Sequence, residues 1–193
     1  GSRITVRFFG GWDFPADLHT RADMVTIGYH DGVPMGGDLN RAAAGTAPRF
    51  VVAASKDALG ANLDRVQIIK GWVGADGVQH DRVYDVAWSG GRETGADGRL
   101  PAVGSTVDLE TATYRNTIGA PQLAAVWQDP DFDPAVPALY YARVLEIPTP
   151  RWTTYDAVRA DLPLLDDVPP AVQERAWSSP IWYRPAPQTN TEK

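Results

Sequence analysis

Three histidines, His19, His30 and His80, are the side chains of this chain best suited to bind a metal ion or to move protons near neutral pH. None of them stands in the H-x-H, H-x-x-x-H or H-E-x-x-H spacing that directs two imidazoles at one metal. Each lies in a segment whose composition is typical of a loop, next to or near Asp or Gly. We interpret them as surface histidines, and a pair that converges in space stays an open alternative.

Three alternating aspartates, Asp129, Asp131 and Asp133, imitate the first ligands of a calcium loop, because carboxylates two residues apart on an irregular backbone can point at one hard cation. The pattern fails further on. An EF-hand needs Gly at its sixth position and Glu at its twelfth, and this chain has Pro134 and Tyr140 there. The cation site is a weak hypothesis, and we interpret the alternating Asp and Pro residues by default as a solvated loop tip between two strands.

The segment 87–91 resembles the G-x-S-x-G turn that exposes a nucleophilic serine, here Ser89. Ala87 replaces its first glycine, and the glycines that follow disfavour the helix whose N-terminus would supply the oxyanion donors. No dinucleotide-binding or Walker-type glycine loop stands in the sequence. We predict no catalytic residue and no metal ligand in this chain. A complete hydrolase would require His19, His30 and Asp residues to converge.

Seven tryptophans are many for this length, and exposed indole rings can stack on sugars or on a partner domain. Trp72, Trp88 and Trp127 lie in or beside predicted strands, where we expect their rings to pack in the core. Trp12 follows the first predicted strand. Trp152, Trp177 and Trp182 lie among Pro, Arg and Ser. We take these three, together with Arg151, as the candidate interface or binding residues.

Composition narrows the classes of function. The 193 residues carry a formal net charge of -6, which disfavours binding to nucleic acid phosphates. The absence of cysteine excludes disulfides, thiolate metal sites and cysteine nucleophiles. The longest apolar runs are about five residues, such as 50–54, against the roughly 20 that span a bilayer. We therefore expect no nucleic acid partner and no membrane span.

The elements that must position these residues are mostly strands. Polar and β-branched residues alternate in 64–72, and Asp76-Gly77 offers a turn before the next strand, 82–88. Short strands near ten residues apart, with turn residues between them, predict a mainly β fold: an antiparallel β-sandwich with long loops, one or two short helices and an extended Pro-rich C-terminal segment. Further strands are predicted at 3–9, within 24–27 and 33–35, and at 50–54, 105–109, 112–114, 123–127, 139–147 and 178–183, the last as an edge strand.

Two short helices have sequence signals. Thr153 followed by Asp156 resembles a capping box, and Pro169-Pro170 suits the first turn of a helix over 171–175. For the domain organisation we predict a sandwich over 1–147, a Pro- and Trp-rich wrapping segment over 148–183 packed on it, and a frayed tail over 184–193.

Several long blocks of the chain resemble the C-terminal part of the bacterial "domain of unknown function 3604" family. These blocks are residues 3–14, 32–39, 63–72, 140–152 and 173–183. They occur in the same order and together span nearly the whole chain, which makes them far more specific than any short motif above.

The resemblance implies an upstream domain. Members of that family carry a barrel similar to the PHP metal-dependent hydrolases, in which His and Asp ligands hold the metals, and they commonly look exported. None of those motifs occurs in this chain, so no catalytic residue carries over, and a divalent metal is expected only in the upstream domain. We expect a non-catalytic module that packs on the barrel. The alternative is a stand-alone carbohydrate-binding module that uses exposed tryptophans.

Overall fold

The computed structural model describes residues 2–39 and 46–185, and these form twelve strands, two α-helices and one 3-10 helix. The elements are β1 (Thr5–Gly11), the 3-10 helix (Leu18–Thr20), α1 (Met24–His30), β2 (Gly32–Pro34), β3 (Asp38–Leu39), β4 (Arg49–Ser55), β5 (Leu63–Val73), β6 (Gln79–Trp88), β7 (Gln122–Gln128), β8 (Ala138–Glu146), β9 (Thr149–Pro150), α2 (Trp152–Ala160), β10 (Ala171–Val172), β11 (Arg175–Trp177) and β12 (Ile181–Tyr183).

One sheet of the described residues has four antiparallel strands in the order β2-β1-β4-β7. In its centre Phe8 pairs with Val52, which pairs in turn with Ala125. Because side chains alternate along a strand, Phe8 and Val52 point to one side of this sheet and Phe9 and Val51 to the other.

The second sheet has six strands, in the order β3-β12-β8-β5-β6, with β11 also paired to β8. Its pairs are antiparallel except for β12 with β3, which is parallel. The long strands β5 and β8 form its centre, where Ile68 lies opposite Ala142. Register shifts near Leu63 and Val66 mark local bulges in β5.

The two sheets face each other across one hydrophobic core. Phe8, Phe50 and Val52 come from the four-stranded sheet, and Ile68 and Tyr140 from the six-stranded sheet. The Phe50 ring stacks on Phe8 with 5.6 Å between centroids, and it packs at a tilt against Tyr140 with 4.4 Å between centroids. The predicted mainly β sandwich, with short helices, is confirmed.

A second cluster lies on the outer side of the four-stranded sheet, where the 3-10 helix and α1 cover it. Phe9 and Val51 of the sheet pack there with Leu18 and Met24 of the helical segments. Gly28 of α1 lies over Phe9, and a Cβ on it would stand 2.7 Å from the Phe9 ring. The glycine therefore permits a close approach between helix and sheet.

Several local predictions are wrong. Met24 to Ile27, predicted as part of a strand, begins α1, because its apolar residues face the sheet as one helical turn. The segments 105–109 and 112–114 form no strands and share only the bridge between Asp108 and Thr113. Residues 171–175 are extended rather than helical, since β10 pairs with β9 and β11 begins at Arg175.

The last strand and the second helix also differ in detail. β12 is not an edge strand, because it lies between β8 and β3. The helix predicted near Thr153 exists as α2, but Arg151 is its N-cap and no side chain caps it. Thr154 instead donates a hydrogen bond to the Pro170 carbonyl, which ties α2 to the following segment.

The predicted tail over 184–193 lies outside the described residues from residue 186 onwards. Neither α-helix of the described residues is long and apolar enough to cross a membrane. The division into a sandwich and a wrapping segment stays a prediction.

Candidate functional site

The outer face of the six-stranded sheet is the surface that brings candidate residues together. On β8, Ala138, Tyr140, Ala142 and Val144 point into the core, so the alternate positions point outward. We call the outward-pointing residues of β5, β6, β8, β11 and β12 the outer face. Residues directly opposite each other in antiparallel strands point to the same face of a sheet. The residues of β5, β11 and β12 that pair with outward β8 residues therefore lie on the outer face as well.

Two of the predicted tryptophans lie on the outer face. Trp177 pairs with Arg143, and Trp182 pairs with Leu139. Trp177 is 58% exposed and Trp182 is 41% exposed, although β11 and β12 both hydrogen-bond to the long strand β8. A tryptophan on a sheet strand presents its indole from a backbone that is already ordered. Binding therefore does not incur the entropic cost of ordering that backbone.

Apolar residues continue across the sheet from Trp182. Leu139 pairs with Gly71 of β5, and the outward residue Ile69 pairs with Val83 of β6. Val83 and Val73 are both exposed, whereas Ile69 is buried beneath its neighbours. One half of the outer face is therefore an apolar surface rimmed by tryptophan.

The other half of the outer face is polar and tightly bonded. Arg143 donates from Nε to Gln67 Oε1 at 2.8 Å, and Gln67 Nε2 donates to Asp85 Oδ1 at 2.8 Å. Arg65 also approaches Asp85, with Nη1 3.4 Å from Oδ2. These bonds link β8, β5 and β6 in one chain of polar side chains, which fixes their orientation on the surface.

A groove of about 800 Å³ lies at the strand ends beside the apolar half of the outer face, and residues from both sides of the sheet line it. Gly71 forms part of its lining. A Cβ at this position would stand only 3.3 Å from Leu139 Cγ. The walls include Trp182 and Trp72, and His80 stacks on Trp72 with 5.4 Å between ring centroids. The arrangement offers aromatic and aliphatic contacts with few charged groups.

Trp152 and Arg151 lie on a different element. Trp152 begins α2 and is 68% exposed, while Arg151 precedes it as the N-cap and donates its backbone N–H to the Pro170 carbonyl. Arg151 Nε is buried and has no hydrogen-bond partner. The four candidate residues from the sequence therefore lie in two places. Trp177 and Trp182 lie on the six-stranded sheet, and Arg151 and Trp152 lie at the start of α2.

The three aspartates of the β7–β8 connection have separate partners. Asp129 is 2% exposed, which does not fit a solvated loop tip, and its Oδ2 lies 2.6 Å from Lys70 Nζ and accepts from the Tyr140 hydroxyl at 2.7 Å. Burial first and Asp129 second raise the pKa of Tyr140, so its phenol stays a donor. Asp133 accepts from the backbone N–H of Ala135.

Asp131 lies at the surface end of the same connection. Its Oδ2 accepts from Arg82 and from the Tyr84 hydroxyl, each at 2.7 Å, and its carbonyl accepts from Lys70. Burial, followed by Asp131, raises the pKa of Tyr84. Within residues 2–39 and 46–185, no three His, Cys, Asp or Glu side chains are arranged to hold a metal ion. Asp129 and Asp131 therefore bind the connection to β5, β6 and β8.

The structure places each histidine and Ser89 in its own local surroundings. His19 lies in the 3-10 helix, His30 at the end of α1 and His80 in β6, so each belongs to a different element. His30 contacts Asp31, and both side chains are largely exposed. Ser89 is buried and its Oγ donates to the Asp64 carbonyl, which leaves no exposed nucleophile at that turn.

Sequence reasoning missed Lys70, Gln67 and the outward residues of β8. The sequence of β8, ALYYARVLE, has apolar residues on both faces, so its alternation of buried and partly exposed positions is visible only in the structure. Lys70 and Gln67 are buried polar side chains of β5, a strand that also contains Asp64 and Arg65, and buried polar groups need hydrogen-bond partners. Their partners are distant in sequence, so the sequence gives no means of pairing them.

The chain was compared with protein families, curated proteins and solved structures. A family model described as "Protein of unknown function (DUF3604)" matches residues 1–185. No curated protein and no solved structure matches the chain.

Proposed function

Since the chain belongs to the DUF3604 family of proteins of unknown function, we propose that it is a non-catalytic docking module of a larger metal-dependent hydrolase. In this proposal its outer face packs on a hydrolase-like barrel that precedes it in the same polypeptide. The barrel performs phosphoester-type hydrolysis, and the module supports or borders its active site.

The exposed aromatic outer face is the observation that carries the proposal. The opposite surface of the sandwich is covered by α1 and the 3-10 helix, whereas Trp177, Trp182, Val73 and Val83 remain exposed on the six-stranded sheet. Clustered apolar side chains on a rigid sheet commonly mark a protein contact. Tryptophan and arginine are also the residues most enriched among strong contacts at interfaces.

The two halves of the face suit two kinds of contact. The apolar half and its groove accept aliphatic or aromatic side chains, while Arg143 and Arg175 at the other end favour carboxylates of the partner. Arg175 also lies 6.0 Å from the Trp177 ring, which holds its guanidinium near the sheet. A partner surface with an apolar ridge beside acidic residues would complement both halves.

The metal chemistry of the proposal belongs to the preceding domain. The described residues contain no group of three or more His, Cys, Asp or Glu that would hold a metal. No step of hydrolysis is therefore assigned to residues of this chain, and the divalent metal would be bound by ligands of the barrel.

The decisive experiment measures binding between this chain and the separately expressed preceding domain. We expect saturable binding by calorimetry, and we expect Trp177→Ser with Trp182→Ser to weaken it at least tenfold. Trp152→Ser is the matched control, since it removes a more exposed tryptophan from a different element. Equal weakening by the control, or no binding by the wild-type chain, contradicts the docking proposal.

A second experiment tests the absence of catalysis. The chain alone is assayed with generic phosphoesters and divalent metal, and we expect no turnover above a heat-denatured sample. Turnover that copurifies with this chain and disappears on substitution of its own residues would overturn the non-catalytic assignment.

The groove favours one alternative function, the binding of a saccharide. A pyranose ring can stack on an indole through its C–H face, and Trp182 and Trp72 line the groove. Glycan titration followed by tryptophan fluorescence separates the two functions. A saturable response that Trp182→Ser abolishes and Trp152→Ser preserves favours the saccharide.

A further inference from the structure

Glu146 is a buried carboxyl without the partner that the other buried acids have. It ends β8, is 2% exposed, and its Oε1 has no hydrogen-bond partner. Its backbone is firmly held, since its N–H donates to the Glu174 carbonyl and its carbonyl accepts from Gln173. These contacts fix the backbone from which the buried side chain extends.

The groups that face Glu146 come from four other parts of the chain. Ser2 precedes β1, Lys56 and Asp57 follow β4, Tyr114 lies in the long connection before β7, and Glu174 precedes β11. The turn after β4 is close, because a Cβ on Gly60 would stand 3.6 Å from Glu146 Oε1. Ser2 Oγ is buried as well and lacks a well-formed hydrogen bond.

The nearby lysine does not neutralise this carboxyl. Lys56 Nζ donates to the carbonyls of Asp57, Ala58 and Gly60, which closes the turn on itself. Burial raises the pKa of Glu146 to about 7, with Glu174 and Asp57 adding to the rise, while Ser2 and Lys56 lower it. The ordinary value for glutamate is about 4.3, so the buried side chain stays protonated over a wide range of pH.

We propose that Glu146 is a pH-sensitive latch that holds the segment before β1 and the turn over 56–60 against the end of β8. The protonated side chain is compatible with the closed arrangement. The ionised side chain has an unpartnered buried oxygen and faces two further carboxylates, so ionisation favours opening of the segment and the turn.

The direction of the effect follows from proton linkage. In the closed state Glu146 keeps its proton up to a pH of about 7, whereas in the open state it releases the proton above a pH of about 4.3. The equilibrium constant for opening therefore rises about tenfold per pH unit between these two values, which is a few hundredfold in total. Above a pH of about 7 it no longer changes. The latch is closed most firmly in acid and is released toward neutral pH.

In the proposed larger protein, the segment before β1 would connect the module to the preceding domain. The latch would then set how firmly that connection is held, and this consequence alone rests on the proposed function. The latch itself is a property of the described residues and is tested without any partner.

Hydrogen exchange tests the latch directly. The amides of Lys56, Gly60 and Glu146 donate to the carbonyls of Pro121, Asp57 and Glu174, so their protection reports whether this region is closed. Their exchange rates are measured from pH 4 to 8 and divided by the intrinsic rate at each pH. We expect protection to fall about tenfold per pH unit from pH of about 4.3 to about 7, and to level off where a carboxyl titration of Glu146, followed by carbon-13 NMR, has its midpoint.

Three variants make the test specific. Glu146→Gln mimics the protonated side chain and should keep protection high at every pH. Glu174→Gln removes a facing carboxylate and should move the midpoint to lower pH. Glu110→Gln removes an exposed carboxylate elsewhere and should change nothing. A wild-type titration midpoint near 4.3, or pH-dependent protection that survives in Glu146→Gln, overturns the latch.

Discussion

The two outer surfaces of the sandwich are built from the same kind of strand but are completed differently. On the four-stranded sheet, Phe9 and Val51 point away from the central core and are buried by α1 and the 3-10 helix. On the six-stranded sheet, Trp177 and Trp182 point away from the same core and remain exposed, and within the described residues neither α-helix packs extensively there.

The covered face of the four-stranded sheet contributes to stability, and the exposed face of the six-stranded sheet is available for binding. An apolar face covered by the chain's own helices contributes to folding, because its burial is lost only when the protein unfolds. An exposed apolar face adds little to folding and is available to a partner. Substitutions on the first face should therefore affect unfolding, and substitutions on the second should affect binding.

The largest effect is expected for Phe9→Ala on the covered face. Phe9 is 3% exposed, and its removal leaves a cavity beneath α1. We expect a loss of about 3–5 kcal/mol in the free energy of unfolding, measured by urea denaturation. Val83→Ala on the exposed face is the control and should cost less than about 1 kcal/mol. Similar losses for both would remove the distinction between the faces.

Gly28→Ala should destabilise the covered face by crowding. Alanine is the better helix former by about 1 kcal/mol, but its Cβ would stand 2.7 to 2.9 Å from three carbons of the Phe9 ring. Overpacking of this kind costs about 1–3 kcal/mol, so we expect a net loss of stability by chemical denaturation. A more stable variant would show that α1 does not pack as closely as its glycine indicates.

Gln67→Ala tests the polar half of the outer face. The substitution leaves Arg143 Nε and Asp85 Oδ1 without the amide that joins them. We expect a loss of about 1–2 kcal/mol in the free energy of unfolding, because partly buried polar groups lose their bonds. Gln79→Ala on an exposed stretch of β6 is the control, and a loss as large as that of Gln67→Ala would contradict the assignment.

The smallest effect on folding is expected for Trp177→Ser and Trp182→Ser. Each side chain is substantially exposed, so each substitution should change the free energy of unfolding by no more than about 0.5–1 kcal/mol. Thermal denaturation provides the measurement. A large loss from either variant would mean that the tryptophan belongs to the core, and the outer face would lose its principal evidence as a docking surface.

Local patterns predicted the three long strands of the second sheet, β5, β6 and β8, and missed the short strands β3 and β11. Alternation predicted the extent of β5, and the polar neighbours of Trp177 and Trp182 indicated that these rings would be exposed. Alternation works there because each strand has one face on the core and one face outward, which is the condition under which period two appears in a sequence.

The same patterns could not assign partners. β7 and β8 flank one short connection, yet β7 pairs with β4 in one sheet and β8 with β5 in the other. The connection therefore crosses between sheets, and Asp129 becomes buried beside Lys70. Three apolar residues among the first four of α1 are too few to distinguish a helical turn from a strand, so that prediction failed as well.

The amino-acid sequence by itself determined that the chain is a strand-rich sandwich with tryptophans reserved for its surface, because alternation, turn residues and local composition act over a few neighbouring positions. Tertiary structure decided which outer face is covered, which aspartate is buried and which glutamate lacks a partner. Those outcomes depend on contacts between residues such as Lys70 and Asp129, or Ser2 and Glu146, which are far apart along the chain. Only the packing of the two sheets brings them together.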